Sequence, residues 1–306
     1  MNEIKKIIKS FLRLPQKTIV TLFFAIEKIL SRLTSINFAY FNREFFVSRL
    51  DDEIKKVVHD NKGLNIEFFL HTPNRLCMHR QNSFSTKEPE TLEWIERYGG
   101  DGALYDIGAN IGIYSIYYAK LKRGNVYSFE PSVFNLKQLA KNISINALSE
   151  RITIMPNPLS KKTGIAKFIN SNNDEGGAQN AFGVGFGYDG NKIEKRFEYS
   201  LFGFSLDDLL KQGFIDEPPS IIKIDVDGIE HLILAGATKT LKQASCKSVL
   251  VEVNDDFSHQ EEQVSQLLQD AGFSFLEKKH SDEVDNSTRF SGTYNQIWVK
   301  KDTQDS

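Results

Sequence analysis

Tyr105-Asp106-Ile107-Gly108-Ala109-Asn110-Ile111-Gly112 runs from an apolar stretch into an amphipathic one, and reading it as a strand-to-helix turn decides the architecture. Glycines at such a turn let the backbone bend sharply and approach a ligand closely, which a side chain would prevent. Beyond the turn, strands and helices alternate. The expected strands are 103–106, 126–129, 152–155, 221–225 and 248–253, and the expected helices are 111–120, 133–146, 229–242 and 260–271. Residues 273–278 and 295–300 close the pattern as a hairpin, with Gly272 as the cap of the preceding helix. This order predicts an α/β fold in which a mostly parallel sheet carries helices on both faces.

Upstream, residues 1–60 read as helical, with Pro15 separating a first helix from a second at 18–33. A strand at 64–70 ends in the turn Thr72-Pro73-Asn74, and Ser85-Thr86-Lys87-Glu88 resembles a capping box before a helix at 89–98. The expected organisation is an N-terminal, mostly helical extension over 1–84, a main domain over 85–300 and a polar tail at 301–306. Residues 170–192, rich in Asn, Gly and Asp, read as a lid or substrate loop or as an unstructured one.

The second strand closes with Ser128-Phe129-Glu130-Pro131, which places Glu130 22 positions after Gly108. A carboxylate at about that distance accepts hydrogen bonds from ribose hydroxyls, in nicotinamide cofactors and in S-adenosylmethionine alike. The glycine spacing separates the two. A dinucleotide fingerprint needs a middle glycine where the pyrophosphate meets the helix N-terminus, and Asn110 stands there instead. S-adenosylmethionine carries no phosphate, and Asp106, Asn110 and nearby backbone groups offer hydrogen bonds to its amino acid end. Gly108, Gly112 and Glu130 complete this candidate cofactor set. Asn157 follows the third strand where an adenine would lie, although Pro156 and Pro158 explain it equally as turn chemistry.

Methyl transfer from such a donor to a protic acceptor requires loss of the acceptor's proton, so a positioned base or a metal is expected. Ile221-Ile222-Lys223-Ile224-Asp225 is an apolar strand with an acidic end at the carboxyl edge of the sheet. Asp225 is the preferred catalytic residue, with Asp227 and Glu230 behind it. Glu230 is read equally as a helix-start acid that complements the dipole. Glu252 and Asn254 close the fifth strand, and with Asp225 they form a candidate Mg²⁺ site. His79, His231 and His259 lack ligand spacing, and Ser205 reads as the cap of a helix containing Asp207 and Asp208.

Composition narrows the classes. With 40% hydrophobic and 25% charged residues the chain is an ordinary globular sequence, and a net charge of −2 argues against a general nucleic-acid binder. Cys77 and Cys246 offer neither a metal pair nor a disulfide framework, so free thiols in a reducing, cytoplasmic compartment are expected. Near the start, Lys5, Lys6, Lys9, Arg13 and Lys17 alternate with Ile4, Ile7, Ile8, Phe11 and Leu12, a pattern of surface-lying membrane helices. The same pattern fits docking on the chain's own domain or on a second subunit. No stretch there reaches the roughly 20 apolar residues of a membrane span.

Taken together, the motifs resemble the FkbM-type methyltransferases. The resemblance rests on Asp106 to Gly112, on Phe129-Glu130-Pro131, on Ser205-Leu206-Asp207-Asp208-Leu209 and on Lys223-Ile224-Asp225-Val226-Asp227-Gly228-Ile229-Glu230. It covers roughly residues 85–300, and Asp227 stands where the family usually has Glu. It implies a Rossmann-like class I methyltransferase fold with a seven-stranded sheet and S-adenosylmethionine as donor. It also implies transfer to an oxygen, often on a sugar or a polyketide, and so a place in polysaccharide biosynthesis. The rival readings are a nicotinamide-dependent oxidoreductase and a non-catalytic binding or assembly protein on the same fold.

Overall fold

The computed structural model describes residues 16–34, 37–280 and 292–301. The expected first helix and most of the polar tail lie outside them. The chain divides into two compact units, one ending at Glu53 and the other beginning at Ile54. The first unit is an antiparallel helical hairpin of α1 (Gln16–Thr34) and α2 (Phe38–Asp51). Phe23 and Phe46 pack edge to face at 5.4 Å between ring centres, and Asn42 Nδ2 donates to the buried Glu27 carboxylate at 3.2 Å.

The second unit opens with a strand that the helical expectation for residues 1–60 did not include. Strand β1 (Ile54–Asn61) pairs with β2 (Leu64–His71) across Lys62-Gly63, both at positive φ. Of β1 only Val57 is buried, so its sequence carries almost no alternation. Ile66, Phe68 and Leu70 on β2 face the core. Helix α3 (Arg75–Asn82) follows, then α4 (Pro89–Tyr98). The capping box does not form. Glu88, rather than Ser85, is the residue preceding α4, and Ser85 Oγ bonds His59 instead.

Seven strands build the main sheet: β3 (Ala103–Ile107), β4 (Val126–Phe129), β5 (Ile152–Met155), β9 (Pro219–Ile224), β10 (Ser248–Asn254), β11 (Phe273–Lys279) and β12 (Thr293–Lys300). Their order is β11-β12-β10-β9-β3-β4-β5, with β12 antiparallel to both neighbours and the rest parallel. The expected Rossmann-like sheet is therefore present. Side chains alternate between two cores, with Leu104 on one face and Ala103, Tyr105 and Ile107 on the other. Helices α5 (Ile113–Leu121), α6 (Val133–Ile145) and α10 (Ser258–Asp270) flank it. The expected helix 229–242 is broken into α8 (Glu230–Ala235) and α9 (Thr238–Leu241) at Gly236, which caps α8 and where a Cβ would overlap the Ser160 carbonyl. A side sheet of β6 (Gly164–Asn170), β7 (Asn180–Phe182) and β8 (Phe197–Gly203) was not anticipated, and α7 (Leu206–Lys211) begins as expected with Ser205 Oγ accepting from Asp208 N at 3.2 Å.

The hairpin β1–β2 is stapled to this unit, which sets the change of unit at Glu53 rather than at residue 84. Asn142 Oδ1 accepts from His71 N at 2.8 Å, while Asn146 accepts from Phe69 N at 2.9 Å and donates to Phe69 O at 2.7 Å. Both amides are buried, Asn142 on α6 and Asn146 as its C-terminal cap. Asn146→Ala leaves the Phe69 N–H and C=O without partners, and urea unfolding should show a loss of about 2 kcal/mol.

Candidate active site

The glycine turn is shaped by what it crosses. Gly108 has a φ of 87°, and a Cβ there would overlap the Asp225 carbonyl. Gly108 N and Ala109 N both donate to Phe129 O at 3.0 Å, which ties the turn to the end of β4. Asn110 is also at positive φ, 52°, and its N–H donates to Glu130 Oε2 at 2.8 Å. Glu130 Oε1 accepts from Ser132 N at 2.8 Å. The two features that the sequence spacing paired are thus joined by a hydrogen bond. Burial pushes the Glu130 carboxyl up to about 7, against the pull of these N–H donors.

Above the turn lies a cavity of about 440 Å³. Gly108, Ala109, Asn110, Glu130, Pro131 and Asn157 line one part of it, and Asp225, Asp227, Glu252, Lys223 and Tyr114 another. Asp225 Oδ2 is 2.8 Å from Lys223 Nζ, whose side chain is almost wholly buried. Burial works against that cation, but Asp225, Asp106 and Glu88 outweigh it and hold the Lys223 pKa above the ordinary lysine value. Glu88 is likewise buried. The cations Lys87 and Lys223 and the Tyr114 hydroxyl, 2.8 Å from Oε2, keep it ionised. Among the described residues Glu252 has no such partner, and burial with the negative charges of Asp225, Glu230, Asp227 and Glu88 pushes its carboxyl well above the usual range.

A segment from the Asn/Gly-rich stretch closes over the cavity. Asn135 Oδ1 accepts from Gly176 N at 2.9 Å, while Asn135 Nδ2 and Asn110 Nδ2 donate to Gly177 O at 3.0 and 2.8 Å. Asp227 Oδ2 accepts from Gln179 N at 2.6 Å. Strand β7 then ties the segment into the side sheet.

Residues 106–275 match the methyltransferase FkbM domain. The chain belongs to that family. A curated relative is the hexuronic acid methyltransferase AglP of Haloferax volcanii, 27% identical over 184 residues, or 59% of this chain and 66% of that protein. The chain therefore spans just under two thirds of that relative's length. Among solved structures, the methyltransferase FkbM of Methylobacillus flagellatus is 15% identical with a TM-score of 0.42, over 65% of this chain and 44% of that one. M. jannaschii TYW2 in complex with AdoMet is 12% identical with a TM-score of 0.40, over 80% and 86%.

Within this FkbM-family site the predicted residues separate. Gly108, Asn110, Glu130, Asn157, Asp225 and Asp227 line the cavity. Asp106 and Gly112 do not. Asp106 is buried beneath the turn, where Oδ2 accepts from Ser115 Oγ at 2.5 Å. Gly112 starts α5 at a φ of 86°, and a Cβ there would strike Leu139. Glu230 is also away from the cavity. It accepts from Val226 N at 3.0 Å, Gly228 N at 3.1 Å and the Gln260 amide, so it braces the loop leaving β9. Asp227 acts as the latch of the covering segment.

The residues also do not fit the expected Mg²⁺ site. Asn254 Oδ1 is turned back onto Asp256 N at 2.9 Å, away from the cavity, and Lys223 holds Asp225. Among the described residues no three His, Cys, Asp or Glu side chains gather as a metal site. His79, His231 and His259 do not line the cavity. Cys77 and Cys246 are free and buried, and burial pushes both thiols up to about 12. Sequence reasoning missed Lys223, Glu88, Tyr114 and Asn135 as site residues. Lys223 in an apolar strand was a visible signal.

Two outcomes follow from these charges. Lys223→Met removes the cation that Asp225, Asp106 and Glu88 share and leaves Asp225 without its ion pair, so urea unfolding at neutral pH should show a loss of about 3 kcal/mol or more, partly recovered by adding Asp225→Asn. Burial and the neighbouring Asp225 raise the Asp227 carboxyl to about 6. An unfolded aspartate titrates near about 3.9, so the folded state holds this proton more tightly and loses stability as pH rises from about 4 through 6. Asp227→Asn keeps the acceptor for Gln179 N and removes that loss, flattening part of the pH profile of the denaturation midpoint.

Proposed function

We propose that the chain is an S-adenosylmethionine-dependent O-methyltransferase whose acceptor is a hydroxyl of a sugar or related metabolite. The observation that carries this reading is Glu130, whose two carboxylate oxygens are held by Asn110 N and Ser132 N in the wall of the cavity. A carboxylate has about four lone-pair sites, so this one can accept from ribose hydroxyls as well as from these N–H groups. Gly108, Ala109, Asn110 and Asn157 would hold the donor with it. The acidic lining suits a positively charged ligand. When bound, the donor supplies a methyl group on a sulfonium, which is already an activated leaving group.

The chain's own residues then have distinct tasks. Lys223 occupies Asp225 Oδ2 and leaves Oδ1 to accept the proton of an acceptor hydroxyl. Glu252, whose carboxyl is pushed well above the usual range by burial and its acidic neighbours, lines the same part of the cavity. The covering segment latched by Asn135 and Asp227 excludes water from the reacting atoms. The relative named for hexuronic acid supports a sugar as the acceptor class.

Calorimetry should detect S-adenosylmethionine binding that Glu130→Ala weakens by about 100-fold, the loss of two charge-assisted hydrogen bonds. Methyl-labelled donor should mark a glycan acceptor in mass spectra. Absence of donor binding, or binding of a nicotinamide dinucleotide in its place, overturns the reading.

A further inference from the structure

Within the helical hairpin of residues 16–51, much apolar surface lies outside the contact between its two helices. On α1, Leu22, Ile26, Ile29 and Leu33 are all exposed, up to 76% for Leu33, and their spacing of four, three and four puts them in one stripe along the helix. Lys28 and Arg32, both exposed, lie on the flank of that stripe. On α2, Tyr40, Val47 and Leu50 are exposed on a common side. The apolar contact between the two helices includes Phe23 on Phe46, so the hairpin uses a different face to hold itself together.

Charge in this part of the chain is equally uneven. Of the 38 cations and 40 anions, residues 1–53 hold nine and six, which leaves 29 and 34 for residues 54–306. One of the six anions, Glu27, is buried inside the hairpin against Asn42. An exposed apolar stripe flanked by unopposed cations has the composition of a helix that lies in a lipid interface, its apolar side chains at the acyl boundary and its cations on headgroup phosphates. No described helix is long and apolar enough to cross a membrane. A second copy is the poorer occupant, because a two-fold contact sets the same patch against itself and would bring cation-rich segments together.

We infer that the N-terminal hairpin is an interfacial anchor that docks this protein on an anionic lipid surface through the Leu22, Ile26, Ile29 and Leu33 stripe and the flanking Lys28 and Arg32. The inference does not depend on which acceptor the cavity takes.

The test uses the full chain in sedimentation with vesicles of phosphatidylcholine, with and without phosphatidylglycerol. The protein should sediment with the anionic vesicles at least about 10-fold more strongly than with neutral ones, and less so as salt screens the attraction. The pair Ile26→Ser and Leu33→Ser, and separately Lys28→Glu and Arg32→Glu, should each weaken that partition by about 10-fold or more. These positions are exposed, and unchanged circular dichroism and donor binding would show that both variants fold. Three results overturn the proposal. The protein fails to sediment with anionic vesicles at low salt, both variant pairs bind them as the parent does, or the serine pair dissolves a stable dimer that itself binds no vesicle.

Discussion

The buried ammonium of Lys223 is the charge around which the carboxyl edge of the sheet is arranged. Parallel strands deliver their ends to one edge, so Asp106 from β3, Asp225 after β9, Glu130 after β4 and Glu252 on β10 converge whatever else the chain does. Carboxylates gathered in a low-dielectric cleft must be paired, hydrogen-bonded or neutralised. Lys223 serves Asp225, Asp106 and Glu88, and backbone N–H groups serve Glu130, Asp227 and Glu230. Glu252 has neither among the described residues, and burial with its acidic neighbours pushes its carboxyl well above the usual range. Groups of one chemical type therefore meet different surroundings at one edge of the sheet.

Asparagine side chains do the corresponding work for the backbone. A primary amide presents an acceptor and a donor at once, so it can satisfy a carbonyl and an N–H that no strand ladder reaches. Asn142 and Asn146 do this for β2, and Asn135 does it for Gly176 and Gly177. The first pair fixes the hairpin onto the flanking helices. Asn135 fixes the segment over the cavity. A stretch whose composition reads as a mobile loop is in this way tied to α6 and to the turn of Asn110.

The parts legible in the sequence were those written in short-range patterns. The alternation of apolar runs beyond residue 103 carried the order of strands and helices, because buried parallel strands are almost wholly apolar and their helices are amphipathic. The pairing of Gly108 with Glu130 carried the cofactor side, because strand and helix lengths set that separation. What failed was also consistent. Strand β1 is nearly all exposed and so lacks alternation, and the side sheet draws its pairing from residues up to 39 positions apart, Gly164 with Gly203.

By itself the sequence determined the sheet, its carboxyl edge and the acids placed there, since local periodicity and turn chemistry are properties of neighbouring residues. Only the tertiary structure decided what each acid does. Asp106 turned inward to Ser115, Glu230 and Asp227 became braces for backbone, Asn254 turned away from the metal set, and Lys223 emerged as the partner of Asp225. The physical reason is that a carboxylate's role depends on which donors and charges meet it in space, and those come from strands and loops remote in the chain.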